Sequence, residues 1–403
     1  MRMYLDKNVE EMARERIRYL LNEFEHVVVN VSGGKDSAVC FYLTYEEAKK
    51  MGELPITVFW LDQEFEYQAS VDLCKYWFEF DGVDPLWLQI PKRLPNPFSQ
   101  EEGGYMWGWN PDKEDVWIRE KDPMAVHENK YIDYPWHFEE VFGQVLCHEF
   151  DPETTCSIGG VRTEESPLRY LGVTQHNTYK GITWGTMNKG GMPAFYPIYD
   201  WTYSDEWKFL HDNDYRYHPV YDFQYQMGVS VRDMRCGNLN SELASKQVER
   251  LQQFEPETWD KFTTRWPEVR QAQKDVLSYL PSELPDHFTS WREYRNYLLE
   301  KVIEDETHKQ VFKREFFNQD LLSEHLGKTY DALCRSHCRA ILKNDVTSGE
   351  VLENAKQKVA YPENAEVKKR KKQWLKENGY WETLREVGVV GPGVNAKLYN
   401  PDE

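Results

Sequence analysis

Residues 27–43 read VVVNVSGGKDSAVCFYL, and no other stretch restricts the fold as much. Four valines, interrupted only by Asn30, make a strand that is apolar on both faces. Gly33 and Gly34 turn the chain. Ala38–Tyr42 then opens an apolar run at helical spacing that extends to about Met51, where Gly52 is a natural stop. A doubly buried strand that passes directly into a helix belongs in a parallel sheet covered on both sides.

The turn is crowded with donors. The first N–H groups of a helix lack intrahelical partners and carry partial positive charge, which suits an anion. Gly33 and Gly34 let the backbone approach that anion with no Cβ in the way. Ser32 and Ser37 add hydroxyls, and Lys35 adds a point charge. Asp36 fits such a site if a hard cation such as Mg²⁺ accompanies phosphates. The spacing is neither GxxxxGK[ST] nor GxGxxG, so neither of those nucleotide fingerprints applies. A plain tight turn needs one or two glycines, not this run of serine, glycine, lysine and aspartate.

The neighbouring sequence repeats the alternation. Met12, Ile17, Leu20, Leu21 and Phe24 mark a helix over 8–25. ITVFWLD (56–62) and LWLQI (86–90) read as further buried strands, with a helix over 71–80 between them. From 91 to about 151 the pattern breaks into a Pro-, Gly- and Trp-rich insertion or lid, in which Trp107, Trp109 and Trp117 would pack or stack a nucleobase. Regular patterning returns at TTCSIGGVRTEES (154–166), KGITWGT and AFYPIYDWTYSDEWKFL. The expected fold is α/β: a Rossmann-like parallel sheet of about five strands with helices on both faces. It spans 1–240, and a mainly helical region follows over 241–403. With 40% apolar and 15% aromatic residues, the chain can build such a core. No stretch approaches the roughly 18 apolar residues of a membrane span, and the charged N-terminus has no signal-peptide core. A soluble, cytoplasmic protein is expected. A net charge of −19 repels phosphate backbones. The basic cluster Lys368, Lys369, Arg370, Lys371 and Lys372 is the one place suited to nucleic acid or an acidic partner, the alternative being a solvated helix.

The hexamer SGGKDS resembles the pyrophosphate-binding loop of the ATP pyrophosphatase (PP-loop) superfamily, with its adenine nucleotide alpha hydrolase-like fold. That resemblance implies ATP and Mg²⁺. Ser32, Gly33, Gly34, Lys35 and Ser37 would hold the β- and γ-phosphates and Asp36 would support the metal. IGGVRTEES resembles the GxRxxES element of the phosphoadenosine phosphosulfate (PAPS) reductase and sulfate adenylyltransferase small-subunit branch. Arg162 would then clamp a second anionic group through its planar fork, and Glu165 would orient it or meet a metal. An exposed loop ion pair is the plainer alternative for both.

Three further stretches bear on the branch. YPIYDWTYSDEW resembles its P-[IL]-x-x-W-T-x-x-[DE]-[VI]-W segment. Thr202 and Asp205 have capping-box spacing there, and Trp201 and Trp207 are expected to pack the helix. YHPVYDFQYQMGVSVRDMRCGNL is a partial match to hPLYDxGYxSIGC, with Arg232 and Arg235 as added charge. In FWLDQEFEY, Asp62 and Glu64 are candidates for ribose or metal contacts, or else solvated loop carboxylates. The resemblance runs over about 8–240. The whole chain looks most like the immunoglobulin-binding regulator A group, which implies an unidentified acceptor and a ParB-like protein partner.

The leading functional expectation is adenylation of an acceptor with release of pyrophosphate. A nucleotide-sensing regulator is one alternative and PAPS reduction another. Reduction needs an activated thiolate. The seven cysteines include no CxxC pair, and the C-terminal GVVGPGVNAKLYNPDE has no cysteine. Cys156 and Cys236 are the cysteines nearest the loop by motif. Cys334 and Cys338 flank His337 on an expected helix, read as an apolar face rather than a metal site. Cys147, His148 and Cys156 are read in the same way.

Overall fold

The computed structural model describes residues 6–95, 105–131, 138–165, 169–170, 173, 179–188, 190–231, 234–237, 239, 245–267, 269, 283–304, 306–320, 329–342, 373 and 376–377. Ser166, Arg232 and the basic cluster at 368–372 lie outside the described residues.

The chain divides into two compact units. One comprises 1–92, 108–239 and 251–259, and the other 93–107, 240–250 and 260–403. The first unit opens with helix α1 (Val9–Glu23), whose start is fixed by a capping box between Asn8 and Glu11. Strand β1 (His26–Asn30) follows, then helix α2 (Lys35–Met51), which ends on Gly52 at φ 79°. β2 (Ile56–Leu61), α3 (Gln68–Phe78) and β3 (Val83–Leu88) continue the alternation. β4 (Lys92–Pro95) and β5 (Tyr105–Gly108) form a separate two-stranded ribbon that belongs, apart from its end residues Lys92 and Gly108, to the second unit. After α4 (Phe138–Glu149) come β6 (Thr155–Ile158), β7 (Gly185–Met187) and β8 (Pro193–Phe195), then α5 (Tyr203–Asp212) and α6 (Val220–Gln226).

Among the described residues the main sheet has six strands in the order β3-β2-β1-β6-β8-β7. Every pairing is parallel except β7 with β8. β1 is central, registered with β2 through Val28↔Thr57 and with β6 through Val29↔Ile158. Its alternate side chains enter two cores. Val27, Val29 and Val31 pack with residues of α1, α2, α3 and α5, while Val28 packs with Phe59, Leu61, Leu88 and the α4 residues Val145 and Leu146. Burial on both faces is why the strand reads as nearly unbroken valine.

The third strand covers Val83–Leu88 rather than 86–90. Pairing with β2 runs from Ile56↔Val83 to Leu61↔Leu88 and carries the polar start of the strand with it. β3 is an edge, so Pro85 costs no interior ladder bond.

The second unit includes the start of α7 (Ser245–Phe254, whose end belongs to the first unit), α8 (Pro256–Arg265, whose start belongs to the first unit), α9 (Trp291–Val302), α10 (Glu306–Asp320) and α11 (Thr329–Leu342). Leu298, Leu299, Phe312, Phe316, Cys338 and Ile341 form its core. No helix among the described residues is long and apolar enough to cross a membrane.

Candidate functional site

The chain leaves β1 towards β2 on one side of the sheet, while β6 lies on the other side. The carboxyl ends of β1 and β6 therefore flank a topological switch point, where open α/β sheets hold their ligands. Both ends carry a glycine-bearing loop, 31–34 after β1 and 159–162 after β6.

Gly33 has φ +75°, and a Cβ there would lie 3.1 Å from the Ser70 Cβ, so the turn needs glycine twice over. Gly34 is the N-cap of α2 and makes no side-chain cap bond. The Ser37 hydroxyl donates to the Gly34 carbonyl at 2.8 Å and accepts the Ser32 N–H at 3.2 Å, bracing the loop from inside. The Lys35 N–H donates to the Tyr221 hydroxyl on α6 at 3.1 Å. Ser32 stands exposed at the rim, and Gly33, Gly34, Lys35 and Ser37 are buried.

The side chains of Lys35, Asp36, Arg162 and Glu206 meet in one network. Lys35 Nζ is 2.6 Å from Asp36 Oδ2 and 3.1 Å from Glu206 Oε2. Arg162 Nε is 2.6 Å from Asp36 Oδ1 and 2.8 Å from Glu206 Oε1. Lys35 and Arg162 are each 3% exposed and Glu206 is 0% exposed. Gly160 makes this approach possible, because a Cβ at that position would sit 2.7 Å from the Asp36 backbone carbon. Burial alone would raise the Asp36 carboxyl, but Lys35 and Arg162 hold it well below the usual carboxylate range. Burial, and then the charge of Asp36, push the Glu206 carboxyl up. Burial works to lower the Arg162 guanidinium, and the two carboxylates reverse that and raise it. Glu165, raised by burial and then by Asp36, sits beside Arg162 and pairs with Arg169.

Both Asp36 oxygens face protein cations, and among the described residues no group of three or more His, Cys, Asp or Glu is placed to hold a metal. The residues present therefore do not fit a resident Mg²⁺, and a magnesium ion here would arrive with a ligand.

Asp62 and Glu64 lie away from this network, fully buried. Asp62 pairs with Arg119 and accepts bonds from Gln89 Nε2 at 2.8 Å, Trp87 Nε1 at 3.3 Å and the Glu64 N–H at 2.9 Å. Glu64 has φ 75°, and its carboxylate accepts the Trp109 N–H at 2.6 Å and the Ile118 N–H at 3.3 Å. These two carboxylates anchor the 108–131 segment to the end of β2. Trp109 is fully buried, packed edge-on to Trp117 at 5.4 Å, with its Nε1 donating to the Asp62 carbonyl.

Cys156 lies within β6, and burial raises its thiol well above the ordinary value. Cys236 is close to the loop, 3.8 Å from Ser70 Oγ, and burial pushes its thiol up to about 12. Arg235 is exposed and holds the Met234 carbonyl. His218 accepts the Val220 N–H on Nδ1 at 3.0 Å, so Nε2 carries the proton and donates to Ser70 Oγ at 3.0 Å. That tautomer cannot take a proton from Ser70, and burial pulls the imidazole down to about 3. In the second unit His337 stacks on Phe316 at 4.3 Å and meets Arg295 at 3.3 Å, with Cys334 and Cys338 buried beside it.

Two members of the site were not singled out by sequence. Tyr221 lies in the YDF of the partial hPLYD match. Glu206 lies in the segment read as structural, where the capping box of Thr202 and Asp205 does start α5. Glu206 falls at the [VI] position of that pattern, and a charge at an apolar position was the available signal.

No family model matches the chain. It is 28% identical over 316 residues to the uncharacterized protein YbdN of Escherichia coli (strain K12), covering 74% of this chain and 77% of that one. It is 23% identical over 216 residues to sulfate adenylyltransferase subunit 2 of Ectopseudomonas mendocina (strain ymp), covering 53% of this chain and 66% of that one. Among solved structures, the FMN adenylyltransferase of Candida glabrata with FMN and the ATP analog AMPCPP overlaps 59% of this chain and 68% of its own, at 11% identity and a TM-score of 0.35. The resemblance to immunoglobulin-binding regulator A gains no support from these proteins.

Proposed function

We propose that this chain is an ATP-binding protein of the PP-loop, PAPS reductase-like kind that cleaves ATP between the α- and β-phosphates. In this reading an acceptor oxygen attacks the α-phosphorus, the bond to the β-phosphate oxygen breaks, and pyrophosphate leaves. The observation that carries the proposal is the convergence of Lys35 and Arg162 on the Asp36 carboxylate in the first turn of α2, directly after the Gly33–Gly34 turn. The loop glycines give the phosphates close access. The start of α2 supplies N–H donors and partial positive charge where the leaving group gains negative charge. Lys35 adds a point charge, and the planar fork of Arg162 can grip two oxygens at once. Magnesium belongs to this reading as the counter-ion of the triphosphate. The sequence likeness to sulfate adenylyltransferase subunit 2 supports the reaction class.

The test is product analysis. The wild-type chain with MgATP and a panel of acceptors should release AMP derivatives and pyrophosphate, and Lys35→Ala should abolish release. ADP formation, or turnover that is indifferent to Lys35, would refute the assignment. A second reading, nucleotide sensing without turnover, is favoured by one observation: both cations are already neutralised by internal carboxylates. Tight ATP binding without pyrophosphate release would select it. The reductase alternative needs a reachable thiolate, and burial disfavours the thiolate at both Cys156 and Cys236.

A further inference from the structure

Glu206 has no part in the chemistry proposed above, yet it touches both cations that chemistry depends on. Its carboxylate comes from the first turn of α5 and is 0% exposed. One oxygen lies 3.1 Å from Lys35 Nζ and the other 2.8 Å from Arg162 Nε. Two anionic oxygens spanning a lysine and an arginine at the mouth of a helix N-terminus are what a phosphate group would present. Asp36 meets the same two cations, but it sits on α2 beside Lys35 and moves with the loop. Glu206 is the member supplied from another element.

We propose that Glu206 occupies the seat of a ligand phosphate, as an internal competitor that a polyphosphate displaces and a singly bridging anion does not. The inference rests on the nucleotide reading and deepens it, because it makes Glu206 a selectivity residue for di- and triphosphate tails. A small anion gains little beyond the two cations that Glu206 already holds, whereas a polyphosphate adds contacts to the loop donors, and the charges at the site set the barrier that those contacts must overcome. With both carboxylates ionised, Lys35, Arg162, Asp36 and Glu206 sum to zero formal charge. A phosphate that enters with both carboxylates still ionised leaves a buried, net negative cluster, which a low-dielectric site resists. Neutralising Glu206 by protonation removes that conflict and lets the side chain stay buried. The groups facing Glu206 are Lys35, Asp36 and Cys40 from α2, Arg162 from the loop after β6, and Tyr221 from α6, while Glu164 and Glu165 lie beside Arg162. Burial and the neighbouring Asp36 charge already favour a proton on Glu206. Losing its two cation contacts to an anion raises the Glu206 carboxyl further, so wherever Glu206 is still ionised in the free protein ligand entry brings a proton with it, and binding there weakens as pH rises, by at most about tenfold per pH unit for one proton.

The experiment is isothermal titration of the full chain with ATP, inorganic pyrophosphate and inorganic phosphate. It is run from pH 6 to pH 9 in paired buffers of different ionisation heat, for wild type and Glu206→Gln. Glutamine keeps the shape and removes the charge, and a urea titration confirms that the variant is folded. Wild type should take up about one more proton per ATP than the variant. Glu206→Gln should bind ATP and pyrophosphate about tenfold more tightly at pH 8, lose the pH slope, and gain measurable affinity for inorganic phosphate. Equal affinities, slopes and proton counts in the two proteins would overturn the proposal and leave the nucleotide reading intact. Absence of any ATP or pyrophosphate binding by wild type across the pH range would overturn the nucleotide reading and this inference with it. If the variant does not fold, wild type alone decides above about pH 7.5, where the terminal phosphate of ATP is fully ionised: a pH-independent ATP affinity there refutes the competitor, and a proton-linked one supports it.

Discussion

Replacing Gly160 with alanine tests whether the loop after β6 and the start of α2 are as close as the site requires. A Cβ at 160 would lie 2.7 Å from the Asp36 carbonyl carbon, 2.8 Å from its oxygen and 2.9 Å from the Ser37 nitrogen. Ordinary contact begins at 3.4 Å, so the overlap at the carbon is about 0.7 Å. All three atoms are backbone in the first turn of a buried helix, so no side chain can rotate to relieve the clash. Gly160 is not among the glycines at positive φ, so backbone conformation adds nothing to the cost. The loop must move, and with it Arg162, two residues on. The expected loss is about 1–3 kcal/mol of stability and about tenfold in ATP affinity, the value of one charge-assisted hydrogen bond. The control is next door: a Cβ on Gly159 meets only the Tyr196 ring, at 3.4 Å. Parallel urea titrations and ATP-binding isotherms of Gly159→Ala and Gly160→Ala give the comparison. If the two variants behave alike, the close approach described here is not a property of the folded protein.

Tyr221→Phe removes the acceptor of the Lys35 N–H; stability should fall by about 1 kcal/mol and ATP should bind more tightly, whereas weaker binding would make the hydroxyl a ligand contact. Arg119→Met strands the buried Asp62 carboxylate and should cost about 3–5 kcal/mol in a urea titration; lost ATP binding at unchanged stability would instead return Asp62 to the ligand. Burial lowers the His218 imidazole from 6.5 to about 3, so the unfolded chain binds the extra proton between those values. Stability should therefore fall as pH drops through that window, by at most about 1.4 kcal/mol per unit, and His218→Gln should flatten the slope of midpoint against pH.

The strand, the glycine turn and helix α2 are legible because their signals are local. A nearly unbroken valine run, a left-handed Gly33 and the αL stop at Gly52 each act within a few residues. The sequence pattern puts β3 too late because the strand's limits come from pairing with Ile56–Leu61, and Asp84 and Pro85 carry no strand signal of their own. Asp62 and Glu64 read as candidate ligand contacts because a carboxylate at a strand end looks the same in sequence whether it faces solvent or Arg119. The insertion hid their partners, since 108–131 has little periodicity yet supplies Trp109, Ile118 and Arg119 to them. Glu206 was passed over for the opposite reason. Its local setting, a capping box before two tryptophan-flanked turns, accounts for a helix start and gives no hint of Lys35 or Arg162, which meet it only through the fold.

The ion pair between Asp36 and Arg162 joins positions 126 residues apart, and Glu206 joins later still. Contacts of such long sequence separation carry a large closure entropy and are slow to be rewarded. During synthesis the N-terminal segments emerge first, so the β1 turn leaves the ribosome long before its arginine and glutamate exist. On the proposed nucleotide reading, a ligand thus cannot act as a template for early folding of this unit. Ligand capture on stalled nascent chains would then be a readout of when the loop after β6 docks beside the β1 turn.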